Sequence, residues 1–287
     1  MKTKKLLLAF VLMFFAAAIF NACEKEEEGD VLLSNAEEAA FIDDMFEDIS
    51  DAADNYVFSG SNSTKNGTLD GACPVVTITY PDSTPWPRVV TIDYGDECEI
   101  QRGNYTLIKK GKIIITVTNL FMTEGAQRII TLDNFYVNDN HIEGTKTVTN
   151  DGRNADDNLT FTAVLENGKI TTDENLVITR SFERTREWIY GEDDPYYHWD
   201  DEFHITGQGR GTNSEGISYT NEITEELYVA RNCPWIKSGK VRIDVGEDNI
   251  IINYGDGECD NLATKIVNGG EEEEFTLRWR YRIRRGK

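Results

Sequence analysis

The sequence is poor in proline (6), cysteine (5) and histidine (3), and its 29 Lys+Arg fall far short of its 51 Asp+Glu. Each shortage excludes something. Few prolines beside 23 glycines rule out a collagen-like or proline-rich chain. A formal charge of −22 argues against nucleic acid as a partner, because duplex binding rests on neutralising phosphates with Lys and Arg. His141, His198 and His204 form no His-Glu-x-x-His pattern and no Gly-x-Ser-x-Gly occurs, so the common zinc-protease and serine-hydrolase signatures are missing. Gly207, Gly209 and Gly211 lack the spacing of a phosphate loop and no helix follows them, which marks a strand bend or a glycine-rich turn. What remains is ample for a core. With 39% hydrophobic and 10% aromatic residues, 287 positions suit one large domain or two small ones.

Lys2, Lys4 and Lys5 precede an uninterrupted apolar run from Leu6 to Phe20. At 1.5 Å per residue the run spans about 22 Å, short of the ~30 Å hydrocarbon core of a bilayer. Residues 1–22 therefore read as a cleaved secretory signal peptide rather than a retained span. Cys23 follows the small residue Ala22. Here the sequence resembles bacterial lipoproteins, which implies that Cys23 becomes the first mature residue and carries the acyl chains of a membrane anchor. Each buried CH₂ of such chains contributes about 0.8 kcal/mol, so several chains hold where one would not. Glu24-Lys25-Glu26-Glu27-Glu28 is similar to the Lys-then-acidic export signal of Bacteroidota lipoproteins shown on the outside of the outer membrane. Residues 23–33 are then a lipidated acidic tether.

With Cys23 assigned to lipid, Cys73, Cys98, Cys233 and Cys259 remain, an even set that in an exported chain reads as two disulfides with three connectivities. An internal repeat chooses among them. Cys73-Pro74 is followed 25 positions later by Cys98, inside Thr91-Ile92-Asp93-Tyr94-Gly95-Asp96-Glu97-Cys98. Cys233-Pro234 is followed 26 positions later by Cys259, inside Ile251-Ile252-Asn253-Tyr254-Gly255-Asp256-Gly257-Glu258-Cys259. The two passages align with one single-residue gap, so the unit over 73–98 recurs over 233–259. The midpoint of each pair falls on a turn signal, Pro81 to Pro87 in one unit and Gly246 in the other. Residues equidistant from a hairpin turn face each other within disulfide reach, which pairs Cys73 with Cys98 and Cys233 with Cys259.

Ser34-Asn35-Ala36-Glu37 has the form of a capping box, and Phe41, Ile42, Met45, Phe46, Ile49, Ala53 and Tyr56 recur at helical spacing. One amphipathic helix over about 35–56 follows, docked by its apolar stripe with a solvated acidic face, and a Gly/Ser/Asn/Thr-rich linker completes the 34–72 region. Residues 24–54 hold 13 acids against one Lys, a concentration that also suits a partner-binding helix. From Cys73 the period changes to two. Ile113, Ile115 and Val117 alternate with Ile114, Thr116 and Thr118, and Leu159, Phe161, Ala163 and Leu165 alternate with Thr160, Thr162 and Val164. Asn138-Asp139-Asn140 and Asn167-Gly168-Lys169 supply the turns between them. Residues 73–287 are therefore one mainly β domain, an antiparallel meander or a sandwich with two disulfide-stapled hairpins, preceded by one helix.

Three polar groups are candidate sites. In the last strand Arg278, Arg280 and Arg282 alternate with Trp279, Tyr281 and Ile283. That row needs an anion, either an acidic neighbouring strand or a bound polyanion or lipid head group. Between Tyr190 and Phe203 lie six acids and five aromatics. Glu192, Asp193, Asp194, Asp200 and Asp201 could ligate calcium or supply glycosidase carboxylates, Trp199 could stack a sugar, and the plain alternative is an exposed acidic loop. Asp256 and Asp260 flank a second acidic turn with a weaker calcium pattern. The Cys-Pro and Tyr-Gly-Asp passages, with Gly111-Lys112-Ile113, Asn134-Phe135-Tyr136, Ile142-Glu143-Gly144 and Ile205-Thr206-Gly207, resemble a widespread group of Bacteroidota lipoproteins. That resemblance implies location and a β fold and supplies no activity. The expectation is a non-enzymatic surface lipoprotein acting as a scaffold or a binding module for an extracellular glycan or a surface protein, without a cofactor unless calcium. A carbohydrate hydrolase using carboxylates near 190–204 is the alternative.

Overall fold

The computed structural model describes residues 32, 36–53, 73–102, 105–193 and 198–277. The signal peptide, Cys23 and its tether apart from Leu32, Ser34 and Asn35 of the capping box, the helix end expected at 54–56, the 57–72 linker, Asp194, and Arg278, Arg280 and Arg282 lie outside the described residues.

Helix α1 runs over 36–53. Ile42, Met45, Phe46, Ile49, Ala52 and Ala53 are buried at the spacing that puts one stripe on one side of a helix. Among the described residues all other regular structure is β, apart from a short 3-10 turn at His198–Asp200. The strands are β1 (Val75–Thr79), β2 (Arg88–Asp93), β3 (Cys98–Arg102), β4 (Tyr105–Val117), β5 (Gln127–Val137), β6 (Asn140–Arg153) and β7 (Leu159–Thr171). Then follow β8 (Val177–Tyr190), β9 (Glu202–Thr212), β10 (Ser218–Ala230), β11 (Ile236–Val245), β12 (Asp248–Asp256), β13 (Leu262–Val267) and β14 (Glu272–Thr276). They form one antiparallel sheet in chain order, with β3 off the path and paired to the first half of β4. The meander is the form taken, and there is no second layer of sheet among the described residues.

The sheet curls around the helix. Asp48 reaches Lys109 on β4, and Asp51 reaches Arg231 just past β10. Those two acids lie about 4.5 Å apart along the helix axis, whereas six strand intervals span roughly 29 Å across a flat sheet. Only a sheet wrapped about α1 brings both within reach. Its inner face carries the aliphatic layer that seats the helix, including Val90, Ile92, Ile113, Ile115, Ile130 and Phe135. A second cluster joins Leu32 and Ala39 to Val241, Ile243, Ile250 and Ile252. Gly144 lets the helix in, because a Cβ there would stand 3.1 Å from the Phe46 ring.

Both disulfides form as expected, Cys73–Cys98 and Cys233–Cys259, each with Cα atoms 5.8 Å apart. The two units share a local device. Asp93 Oδ1 accepts the Gly95 amide in the first, and Asn253 Oδ1 accepts the Gly255 amide in the second, fixing the turn of each Tyr-Gly-Asp passage. They differ beyond it: Asp256 is still within β12, whereas Cys98 opens β3, which leaves β2 to pair with β4.

Three sequence expectations need correction. Asn167-Gly168-Lys169 is not a turn but a bulge within β7, with Asn167 at φ 52° and a register shift between Leu165 and Gly168. Gly207, Gly209 and Gly211 make no turn; they line the inner face of β9, where Gly207 at φ 134° stands beside a break in the β9–β10 register. Much of the acidic face of α1 is paired with the sheet rather than left to solvent, for reasons given next.

Candidate functional site

The densest polar structure is the seam between α1 and the inner face. Asp43 accepts bonds from Arg180 Nε at 3.0 Å and Nη2 at 3.2 Å, and from Arg184 Nη2 at 2.5 Å. One turn on, Glu47 meets Lys146 at 3.2 Å and Arg186 at 3.7 Å. Asp48 meets Lys109 at 2.7 Å, and Asp51 meets Arg231 at 3.6 Å. At the start of the helix Glu38 takes the Ser214 amide at 2.7 Å and its hydroxyl at 2.6 Å. The helix is thus sewn to the sheet along its length.

These cations are held inward by strand parity. Arg180, Arg184 and Arg186 alternate on β8 with Thr179, Ser181, Glu183 and Thr185, in phase with the buried Ile178, Phe182 and Trp188. The Arg180 side chain is only 1% exposed. Space for it comes from the glycines of β9: a Cβ at Gly209 would stand 2.9 Å from Arg180 Nη1 and 2.8 Å from Asn221 Oδ1, and one at Gly211 would stand 2.7 Å from the Tyr219 hydroxyl. Through that gap Arg180 Nη1 donates to Asn221 Oδ1 at 2.7 Å. Guanidinium faces also lie over rings, Arg184 on Phe182 at 4.4 Å and Arg186 on Phe203 at 5.1 Å.

The electrostatics follow from burial and pairing. Burial alone would raise the Asp43 carboxyl, but Arg184 and Arg180 outweigh it and hold the group below the usual carboxylate range. Glu47 is lowered in the same way by Lys146 and Arg186. Asp51 goes the other way: burial, joined by the charges of Glu47 and Asp48, overcomes Arg231 and raises it. Burial and the nearby Arg186 push Arg128 down to about 10. The Tyr219 hydroxyl is raised to about 12, chiefly by burial. Carboxylate and cation are matched group by group, which suits holding an element in place.

The predicted sites are dispersed. Arg153 grips Glu192 through both terminal nitrogens, with Nη1 at 3.0 Å. Asp193 faces solvent, and Trp199 is 62% exposed. Asp200 is half-buried, and Asp201 is turned under the loop against Gly191, its carbonyl accepting the Arg231 amide at 2.9 Å. Asp256 is exposed at the end of β12, and Asp260 Oδ1 accepts the Leu262 amide at 2.9 Å. Among the described residues no group of three or more His, Cys, Asp or Glu comes together as metal ligands.

The two ends of the sheet also differ. At one end the connections are tight: Asn138-Asp139, 213–217 and Gly246-Glu247. At the other they are long, over 80–87, 118–126 and 191–201. There Tyr80, Leu120, Met122, Tyr190, Trp199 and Leu262 are exposed. Glu38 at Ser214 and Asp51 near Arg231 show that α1 runs from the tight-turn end to the loop end. The architecture defined by these features is a single curled sheet closed by the chain's own helix. No family model matches this chain, and neither a curated protein nor a solved structure does.

Proposed function

We propose that this protein is a lipid-anchored lipoprotein of the outer membrane, facing the outside of the cell, whose β domain is a non-enzymatic scaffold or binding module. The polarity of the fold is the observation that carries this reading. The helix starts at the tight-turn end, so a chain anchored through Cys23, 13 residues before position 36, presents the long loops away from the lipid. The inner face is filled by α1, which leaves the loop end and the outer face of the sheet for contact with partners.

Protease treatment of intact cells tests it. Externally added protease is expected to cut the chain, and Cys23→Ser is expected to move it from the membrane to the soluble fraction. A chain that stays uncut on intact cells but is cut after lysis would remove the surface assignment.

A further inference from the structure

We propose that the free edge of β1 is a self-association site, at which a second copy of this chain adds its own β1 antiparallel across a two-fold axis. The proposal does not depend on the anchored-module reading above. Strand β1 ends the sheet and pairs with β2 through five consecutive residues without a bulge. On its other side alternate residues turn N–H and C=O groups outward, and no strand meets them among the described residues. Natural sheets blunt such edges with charge, bulges or a cover. The opposite end of the sheet follows that rule with Glu272, Glu273 and Glu274 in β14, and so does β3 with Glu99 and Arg102. Strand β1, Val75-Val76-Thr77-Ile78-Thr79, carries no charge at all.

A second copy is the occupant because the segment is complementary to itself. Centred on Thr77, an antiparallel pair sets Val76 opposite the partner's Ile78, Val75 opposite the partner's Thr79 and Thr77 opposite the partner's Thr77. Inner residues then meet inner residues, the cross-strand pairs are β-branched throughout, and no like charges meet. The same operation on β14, centred on Glu274, would set that carboxylate against its own copy. The inner side gains most. Val76 and Ile78 pack on the aliphatic core yet stay half-buried, whereas Ile92 and Val90 opposite them on β2 are fully buried, because the layer stops at β1. A second β1 continues that layer. Val75 and Tyr80, 53% and 51% exposed, stand at the two ends of the edge, and the two-fold brings the Val75 end of one copy to the Tyr80 end of the other. Each copy's edge is used once, so pairing closes at a dimer. About four to six hydrogen bonds over five residues form a small contact, which makes the dimer weak and concentration-dependent.

Analytical ultracentrifugation of the chain from residue 23 onward, carrying Cys23→Ser, tests the proposal from micromolar to near-millimolar concentration. A reversible monomer–dimer equilibrium is expected. Thr77→Glu, which sets two carboxylates face to face at the axis, is expected to weaken it at least ~5-fold, whereas Thr77→Ser keeps it within about twofold. Far-ultraviolet circular dichroism checks that each variant is folded. In the same background Thr77→Cys is expected to give a disulfide-linked dimer on oxidation, because the two positions meet at the axis, and Thr79→Cys is not, since its copies lie about 14 Å apart along the paired strands. Hydrogen exchange over residues 75–79 is expected to slow as the dimer forms. A chain that stays monomeric over the whole range would overturn the proposal. So would amides of 75–79 that are already slow in the dilute monomer, which would give the edge to a segment of the same chain. A dimer that Thr77→Glu leaves intact, or that links Thr79→Cys as readily as Thr77→Cys, would put the interface elsewhere and overturn it as well.

Discussion

The two faces of β8 obey opposite charge rules. Inward it carries Arg180, Arg184 and Arg186 among Ile178, Phe182 and Trp188; outward it carries Thr179, Ser181, Glu183, Thr185 and Glu187. The cations are on the dry side because α1 supplies their partners, and the threonines, serine and two carboxylates are on the wet side. Burial in this fold is therefore decided by whether a partner exists, not by hydropathy alone. Charge that reads as surface in the sequence is internal glue.

The sharpest way to break this contrast is Asp43→Asn, which leaves the buried guanidiniums of Arg180 and Arg184 without their anion. A loss of about 3–5 kcal/mol is expected in chemical denaturation, the cost typical of breaking a buried pair on one side. The same dependence appears in the parent on acidification. Asp43 and Glu47 have folded pKa values below their unfolded ones, so their stabilisation is complete above their ordinary values of 3.8 and 4.5 and is lost as pH falls through the folded values. Asp51 is raised and contributes the opposite sign as it protonates, so its substitution by Asn should steepen the acid limb and Asp43→Asn should flatten it in pH-dependent melting. Gly209→Ala comes next: its Cβ would split the Arg180–Asn221 contact, with an expected loss of about 1–3 kcal/mol by calorimetry. The smallest effect belongs to the outer face, where Thr149→Ser with Thr185→Ser should change stability by less than about 0.5 kcal/mol per site. An outer substitution that costs as much as Asp43→Asn would erase the distinction between the faces.

How far this could be read in the sequence depended on the range of the signal. The helix stripe, the alternation of β4 and β7 and the two disulfides are local or repeated patterns, and each appears where its spacing puts it. The bulge at Asn167-Gly168 was misread as a turn because Asn-Gly chemistry demands positive φ in either setting. The acidic seam was misread because an Asp-rich helix face looks solvated until its partners are placed, and those partners are on distant strands. A signal did exist: Lys109 shares parity with Leu107 and Ile113, and Lys146 with Ile142 and Val148, which marks both as inward-facing. Glu192, Asp201 and Asp260 illustrate the converse. Composition suggested ligand sites, one holding Glu192 and Asp201 and another holding Asp260, but Glu192 is clasped by Arg153, Asp201 is buried against Gly191 and Asp260 caps its own turn.

The wrapped helix also sets an order of events. It is made before any strand, yet the guanidiniums that Asp43 needs lie 137 and 141 residues further along the chain. Until β8 exists the Asp43 carboxylate lacks both of its guanidiniums, and the strands that complete the curl of the sheet around the helix are missing. Such distant pairings carry a high loop-closure cost and slow folding. The last step of folding is therefore expected to be the docking of the first element made, with the inner arginines hydrated until then.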